Sequence, residues 1–171
     1  MYQSSGHETL LEVTTLPRPY RDAPLPIILA DELNTILCYV VGDDDAQDAS
    51  QSERLDHYED EPMLAVKFHN ALAHYQGPPD DGGIQGHPLY AQGLRADGIY
   101  VVENSNWLQS LKVMQINSGL YNASDWEPLK HYVFSFHSMT FECIAEGYRS
   151  LMVRGPLRAV FDSYTEILDM V

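Results

Sequence analysis

Three side chains close together in the sequence have the types needed for proton transfer. Ser135, His137 and Glu142 offer a hydroxyl, a base and a carboxylate. Such a set suits general acid–base chemistry, with the imidazole as the base and the carboxylate as its orienter or as an acid. A half-solvated antiparallel sheet would carry the same residue types on its wet face. Both interpretations stay open at this stage.

The stretch from residue 131 to 150 predicts the two strands that would position these side chains. Alternation along each strand predicts one core face, which carries Tyr132, Phe134, Phe136, Phe141, Cys143 and Ala145. The opposite face is mixed and ionisable, with His131, Val133, Ser135, His137, Thr140, Glu142, Ile144 and Glu146. A two-residue turn at Ser138-Met139 would pair Ser135 with Glu142, and His131 with Glu146. This residue pair is not a favoured one for such a turn, and a longer loop would change the pairing.

Four more residues are candidates for contact with a ligand: His87, Tyr90, Trp107 and His131. His87 ends a glycine-rich loop, and Pro88 and Gly93 suit the two ends of a short helix that contains Tyr90. His87 is either a site residue or a substitute helix cap. Trp107 begins the apolar stripe of a helix predicted over 106–117 and capped by Asn104 or Ser105. Two interpretations of its ring stay open: burial in the core, and stacking on a ligand.

Two runs resemble an uncharacterised family of bacterial proteins. They are HPLYAQGLRADGIYVVENSNW at 87–107 and HYVFSFHSMTFECIAEG at 131–147, which carry the motifs HPLxxxGL, NSxW and FHxxTFEC. The resemblance covers about residues 78–147, and its last block matches at His137, Thr140, Phe141, Glu142 and Cys143. This chain has Ser138 and Met139 where the family has Asp-Ser, so any chemistry or turn geometry that needs the aspartate is missing here. The resemblance implies a shared fold and no particular activity.

The remaining pattern predicts an α+β fold. Strands are expected over 26–30, 35–41, 63–75 and 98–103, with a bulge at Asn70-Ala71 as an option. A capping box at Ser124–Glu127 predicts a short helical turn, and an apolar stripe over 157–168 predicts a C-terminal helix. We expect a single antiparallel sheet of about five to seven strands, flat or strongly curved, with the C-terminal helix and the helix after residue 104 packed on it.

Length and composition indicate one domain. The chain has 171 residues, which suffice for a sizeable core over 25–171, preceded by an extended N-terminal arm at 1–24. The arm contains apolar residues that could add an edge strand. The N-terminus lacks the pattern of a signal peptide, and the two cysteines fall in apolar strands, so we expect a cytoplasmic protein with buried thiols.

The net charge of −15 excludes some partners and favours others. It argues against phosphate-mediated nucleic-acid binding and against anionic membrane surfaces. Residues 43–62 form an acidic loop that lacks the spacing of a calcium-binding loop. No metal spacing or nucleotide-binding loop occurs, so no metal or cofactor is predicted.

Two classes of function therefore remain. The first is a small-molecule site, with or without acid–base catalysis, on the polar face of the hairpin. The alternative is an acidic interaction module that binds a basic protein, as an immunity-type or regulatory partner does. The C-terminal apolar stripe would serve a homodimer interface as well as it would serve the core of a monomer.

Overall fold

Two antiparallel sheets make up the frame of the molecule. The computed structural model describes residues 2–21, 25–42, 62–154 and 167–169. Within them the strands are β1 (Thr9–Glu12), β2 (Ile27–Ala30), β3 (Thr35–Val40), β4 (Met63–His69), β5 (Ala73–Gly77), β6 (Ile99–Glu103), β7 (Lys130–Ser135), β8 (Thr140–Ala145) and β9 (Gly147–Val153). The helices are α1 (Asn106–Asn117) and α2 (Ala123–Trp126), and 3₁₀ turns lie at Ile84–Gly86 and Tyr90–Gln92. The predicted α+β class and antiparallel pairing are confirmed.

The prediction of a single sheet is wrong. One sheet has the strand order β1-β6-β7-β8-β5 and the other has the order β2-β3-β4-β9. The predicted long strand over 63–75 divides at Asn70, whose φ of 48° lies in the left-handed region. Its first half, β4, joins the four-stranded sheet and its second half, β5, joins the five-stranded sheet. Strand alternation cannot show this division, because residues on both sides of Asn70 remain extended and apolar.

The partner of this bent strand bends at the same place. β8 pairs with β5, and after Glu146 the chain continues as β9, which pairs with β4. Between the pairs His69↔Gly147 and Ala73↔Ile144, three residues on one side face two on the other. The extra residue is a β-bulge, which turns both strands from one sheet into the other. The chain thus passes from one sheet to the other at Asn70-Ala71, where a bulge was considered from the sequence.

The aromatic face of the hairpin is buried in the core, as predicted, and this core lies between the two sheets. Phe134, Phe136 and Phe141 are fully buried. Phe68 of β4 meets the rings of Tyr132, Phe134 and Phe141 at centroid distances of 5.7, 5.9 and 5.7 Å. These tilted and edge-on arrangements are the ones that aromatic pairs prefer.

The register of the hairpin differs from the predicted one by two residues. β7 ends at Ser135, which pairs with Thr140, and four residues connect the strands. Phe136 N donates to Met139 O within this connection, 2.8 Å away. A shift of two residues keeps every side chain on its predicted face. Val133 now faces Glu142, and His131 faces Ile144 rather than Glu146.

The second face of the hairpin is covered rather than open. Ile84, Leu89 and Leu94, from the segment between β5 and β6, pack with Val102 and Val133 in a separate apolar cluster. The N-terminal arm adds Tyr2 and Leu10 to this layer, and its strand β1 pairs with β6 at the edge of the sheet. The polar residues of this face are therefore enclosed.

The ends of the shorter elements follow the predicted signals at Gly93 and Ser105 but not at Ser124. Gly93 ends the second 3₁₀ turn with a φ of 107°, as its position after the predicted helix requires. Ser105 caps α1, and its hydroxyl accepts a hydrogen bond from Leu108 N. α2 is capped by Asn122 rather than by the predicted Ser124.

The remaining apolar cluster lies on the outer side of the four-stranded sheet. Ile167 is fully buried there, beside Leu168 and residues of β3 and β4. Most of the predicted C-terminal helix lies outside the described residues, as does all of the acidic loop except Pro62. Cys38 and Cys143 are free and buried, and burial raises the pKa of each thiol to about 12.

Candidate functional site

Glu142 is the centre of a buried polar cluster on the covered face of the hairpin. It lies in β8, between β5 and β7, and its side chain is 1% exposed. The side chains around it are Tyr2, His87, Ser105 and His131. They come from the arm, the 78–94 segment, the cap of α1 and β7, so four separate parts of the chain meet at one carboxylate.

His131 donates a hydrogen bond to Glu142. The ionised carboxylate oxygen Glu142 Oε2 can only accept, so His131 Nε2, 2.9 Å away, carries the ring proton. In the neutral imidazole Nδ1 then accepts from Ser105 Oγ at 2.9 Å, while Oγ itself accepts from Leu108 N at 3.1 Å. The result is a buried chain of hydrogen bonds from the start of α1 through the imidazole to the carboxylate.

His87 is oriented in the same way. Its Nδ1 accepts from Leu89 N at 3.1 Å, which places the ring proton on Nε2. Nε2 lies 3.4 Å from Glu142 Oε1 and is not aligned for a hydrogen bond. A protonated Nε2 is a donor and cannot coordinate a metal ion. Among the described residues, no group of three or more His, Cys, Asp or Glu is arranged to hold one.

Tyr2 covers the cluster. Its hydroxyl donates to Glu142 Oε2 at 2.7 Å. Its ring stacks on Trp107 at a centroid distance of 5.8 Å and an interplanar angle of 5°, and meets His131 edge-on at 5.6 Å. Trp107 also meets the edge of His131, at 5.1 Å. The two aromatic rings thus shield the carboxylate from water.

The cluster holds its carboxylate in the ionised form. Burial alone raises the pKa of Glu142. The hydrogen bond from His131, the His87 Nε2–H group 3.4 Å from Oε1, and the positive charge of either imidazole when protonated outweigh burial and lower this pKa to about 2. Burial and the neighbouring Glu142 charge raise the pKa of Tyr2, so its hydroxyl remains a donor.

Three buried polar atoms in this part of the fold make no hydrogen bond within the chain. They are Glu142 Oε1, His87 Nε2 and Ser135 Oγ. Ser135 lies diagonally across from Glu142 on the same sheet face, because Val133 pairs with Glu142. Buried polar groups are normally paired, and a missing partner leaves the cost of desolvation uncompensated. These atoms therefore keep hydrogen-bonding capacity that the chain itself leaves unused.

The structure brings some of the predicted site residues together and separates others. Glu142, His131, His87 and Trp107 meet in the cluster, with Ser135 beside them. His137 lies in the hairpin connection, where its side chain is 53% exposed and its Nδ1 lies 2.7 Å from Asp81 Oδ2. Tyr90 is exposed and lies under the guanidinium group of Arg95, at 4.9 Å. The predicted set of Ser135, His137 and Glu142 is therefore not assembled.

Two members of the cluster were not predicted as site residues. Tyr2 belongs to an arm without periodicity, and no local pattern shows where such an arm packs. Ser105 was considered only as a cap for α1. A usable signal was its position two residues before Trp107, because Trp107 and the capping hydroxyl both face the hairpin once α1 packs against it.

An open groove runs beside the cluster. Its volume is about 990 Å³, and its lining includes Ser5, Val102, Glu103, Ser105, Leu108 and Lys112. The groove thus lies between the arm, β6 and α1. Ser105 borders both the groove and the buried cluster, so it connects the groove to His131.

No helix in the described part of the chain has the length and apolarity needed to cross a lipid bilayer. Comparison of the chain with known protein families, curated proteins and solved structures found no match.

Proposed function

We propose that the protein binds a small molecule at the Glu142 cluster. The observation that carries this proposal is an ionised carboxylate, 1% exposed, flanked by two imidazoles that are each oriented by a hydrogen bond at Nδ1. Side chains locked in this way are what a binding site needs before its ligand arrives. A core stabilised only by apolar packing does not require them.

The chemistry of the site favours ligands that donate hydrogen bonds. Glu142 offers two acceptor oxygens, of which Oε1 makes no hydrogen bond in the structure. The carboxylate repels anions, and the low-dielectric surroundings strengthen that repulsion. The hydrogen-bond chain through His131 also gives the site a route for proton transfer to Glu142, and Ser105 lies at the end of that route beside the groove.

Ligand-observed NMR with a library of small polar fragments tests the proposal. We expect fragments that bind the wild-type protein to bind the Glu142→Gln variant at least ~10-fold more weakly, because a lost hydrogen bond to a charged group is worth about 1.5–3 kcal/mol. The control is His137→Ala, which removes an exposed imidazole outside the cluster and should leave binding unchanged. Circular dichroism checks that each variant is folded.

Two results would contradict the proposal. One is that no fragment binds the wild-type protein. The other is that every fragment binds wild type and Glu142→Gln equally well, which would place binding away from the carboxylate.

The alternative class, an acidic interaction module, remains a prediction from the net charge of −15. The acidic loop on which it rests lies almost wholly outside the described residues. The geometry of the cluster gives it no support. Binding to a basic protein that weakens steeply with salt, and that is insensitive to Glu142→Gln, would favour this alternative.

A further inference from the structure

We propose that the ligand of the Glu142 cluster is a neutral aromatic molecule with a hydroxyl group, and that Tyr2 occupies its place in the described structure. This inference rests on the function proposed above. Tyr2 makes the contacts expected of such a ligand: a 2.7 Å hydrogen bond to Glu142 Oε2 and a parallel stack on Trp107. Its ring also packs against the edge of His131.

The electrostatics of the site select the neutral form of the ligand. Glu142 is ionised and buried, so a phenolate or a carboxylate in the same place would meet a like charge in a medium of low dielectric constant. A phenol hydroxyl instead supplies the proton that the carboxylate accepts. The flat face of Trp107 adds selectivity for planar rings, which stack with a larger contact area than aliphatic groups do.

The arm that carries Tyr2 can leave without breaking the sheet. β1 begins only at Thr9, so residues 2–8 lie outside the β1–β6 pairing. The hydrogen bonds of Ser4 and Ser5 go to Glu8, within the arm itself. Gly6 has a φ of 79°, a conformation that costs glycine little and gives the arm a turn before β1. Asn106 Nδ2 holds the arm by a hydrogen bond to Gln3 O.

Departure of Tyr2 would expose the acceptor that it covers. Glu142 Oε2 would lose one of its two hydrogen-bond donors, and the face of Trp107 would lose its stacked ring. A molecule that carries an aromatic ring and a hydroxyl would restore both the hydrogen bond to the carboxylate and the stack on Trp107. The ring of Tyr2 therefore competes with a free ligand for the same position. Binding replaces the phenol group of Tyr2 by the phenol group of the ligand.

The test uses p-cresol, which has the structure of a tyrosine side chain, and toluene, which lacks the hydroxyl. All proteins carry Trp126→Phe, so that Trp107 is the one remaining indole of the two in the chain. Quenching of Trp107 fluorescence then reports occupation of the site. Binding is measured in this background, in Tyr2→Ala, and in Tyr2→Ala combined with Glu142→Gln.

We expect Tyr2→Ala to bind p-cresol at least ~10-fold more tightly than toluene, since only p-cresol donates to the carboxylate. Adding Glu142→Gln should remove most of this preference. With Tyr2 present, p-cresol should still bind, but ~10- to 100-fold more weakly, because it must displace the tethered ring. Tyr2→Phe keeps the ring and loses the hydroxyl, so it should lie between the two and serves if Tyr2→Ala does not fold.

Equal affinity of Tyr2→Ala for p-cresol and toluene would overturn the inference, because the hydroxyl would then not be recognised. So would undetectable binding of p-cresol while Tyr2 is present, because Tyr2 would then be a fixed part of the core. Either result leaves the proposed function intact if polar fragments still bind in a Glu142-dependent way. If those fragments fail as well, both proposals fall.

Discussion

Replacing Glu142 by glutamine should destabilise the protein in a way that disappears in acid. The pKa of this carboxyl is lowered from its ordinary value of 4.5 to about 2, which corresponds to about 3 kcal/mol of stabilisation at 1.36 kcal/mol per pH unit. Because the folded pKa is the lower one, this stabilisation is complete above about pH 5.5 and is lost as the pH falls from 4.5 towards 2. A glutamine never carries the charge, so its stability lacks this contribution at every pH.

The assay is urea unfolding, followed by far-ultraviolet circular dichroism at fixed pH values from 7 to 3. The difference in unfolding free energy between wild type and Glu142→Gln should be largest above about pH 5, where the carboxyl is ionised in both the folded and the unfolded chain. It should then shrink by about 2 kcal/mol between pH 4.5 and 3. The other carboxylates contribute equally to both proteins and cancel in the difference.

Glu12→Gln is the matched control, since Glu12 pairs with Arg18 on the surface and both side chains are largely exposed. Exposed pairs of this kind contribute about 0–1 kcal/mol. A difference for Glu142→Gln that stays flat from pH 7 to 3 would refute the reasoning, because Glu142 would then have the same pKa in the folded and unfolded chains.

Three other substitutions test the frame around the site, each by urea unfolding at pH 7. Ser105→Ala should lower the free energy of unfolding by about 1–2 kcal/mol, because it removes the cap of α1 and the hydrogen-bond partner of His131. Ser105→Thr keeps the hydroxyl and should retain most of the stability. Phe134→Ala should cost about 3–5 kcal/mol, since the ring is fully buried between the sheets, and a loss under 1 kcal/mol would place this residue outside the core. Asn70→Ala should cost about 1–2 kcal/mol because of its positive φ, and Asn70→Gly should not.

The faces of the hairpin could be predicted from the sequence, but its register could not. Alternation depends only on the extended backbone, so it correctly placed Phe134 and Phe141 inside. Register depends on the length of the connection, and Ser138-Met139 carries no strong turn signal. The two-residue shift separated His137 from Glu142 and placed His131 diagonally beside the carboxylate.

Local sequence patterns also could not predict which segments cover the polar face of the hairpin. The 78–94 segment was predicted as a glycine-rich loop followed by a short helix, and neither pattern shows that Ile84, Leu89 and Leu94 are buried on the sheet. Tyr2 is 140 positions from the carboxylate that it contacts. Such contacts are set by tertiary packing, and no periodicity within either segment encodes them.

The bend shared by the two long strands ties the sheets into one cooperative unit. β4 and β5 are halves of one extended segment, β8 and β9 are halves of another, and each sheet takes one half of both. Separating the strands of either sheet therefore also disrupts the strand pairing of the other sheet, because the same two segments continue into it across the bulge. Amide protons on β4 and β8 should exchange with deuterium at the same slow rate under global unfolding, although they belong to different sheets. The buried carboxylate on β8 is thus held in place by both sheets, while the ring that covers it belongs to residues 2–8, which precede β1 and lie outside the strand pairing.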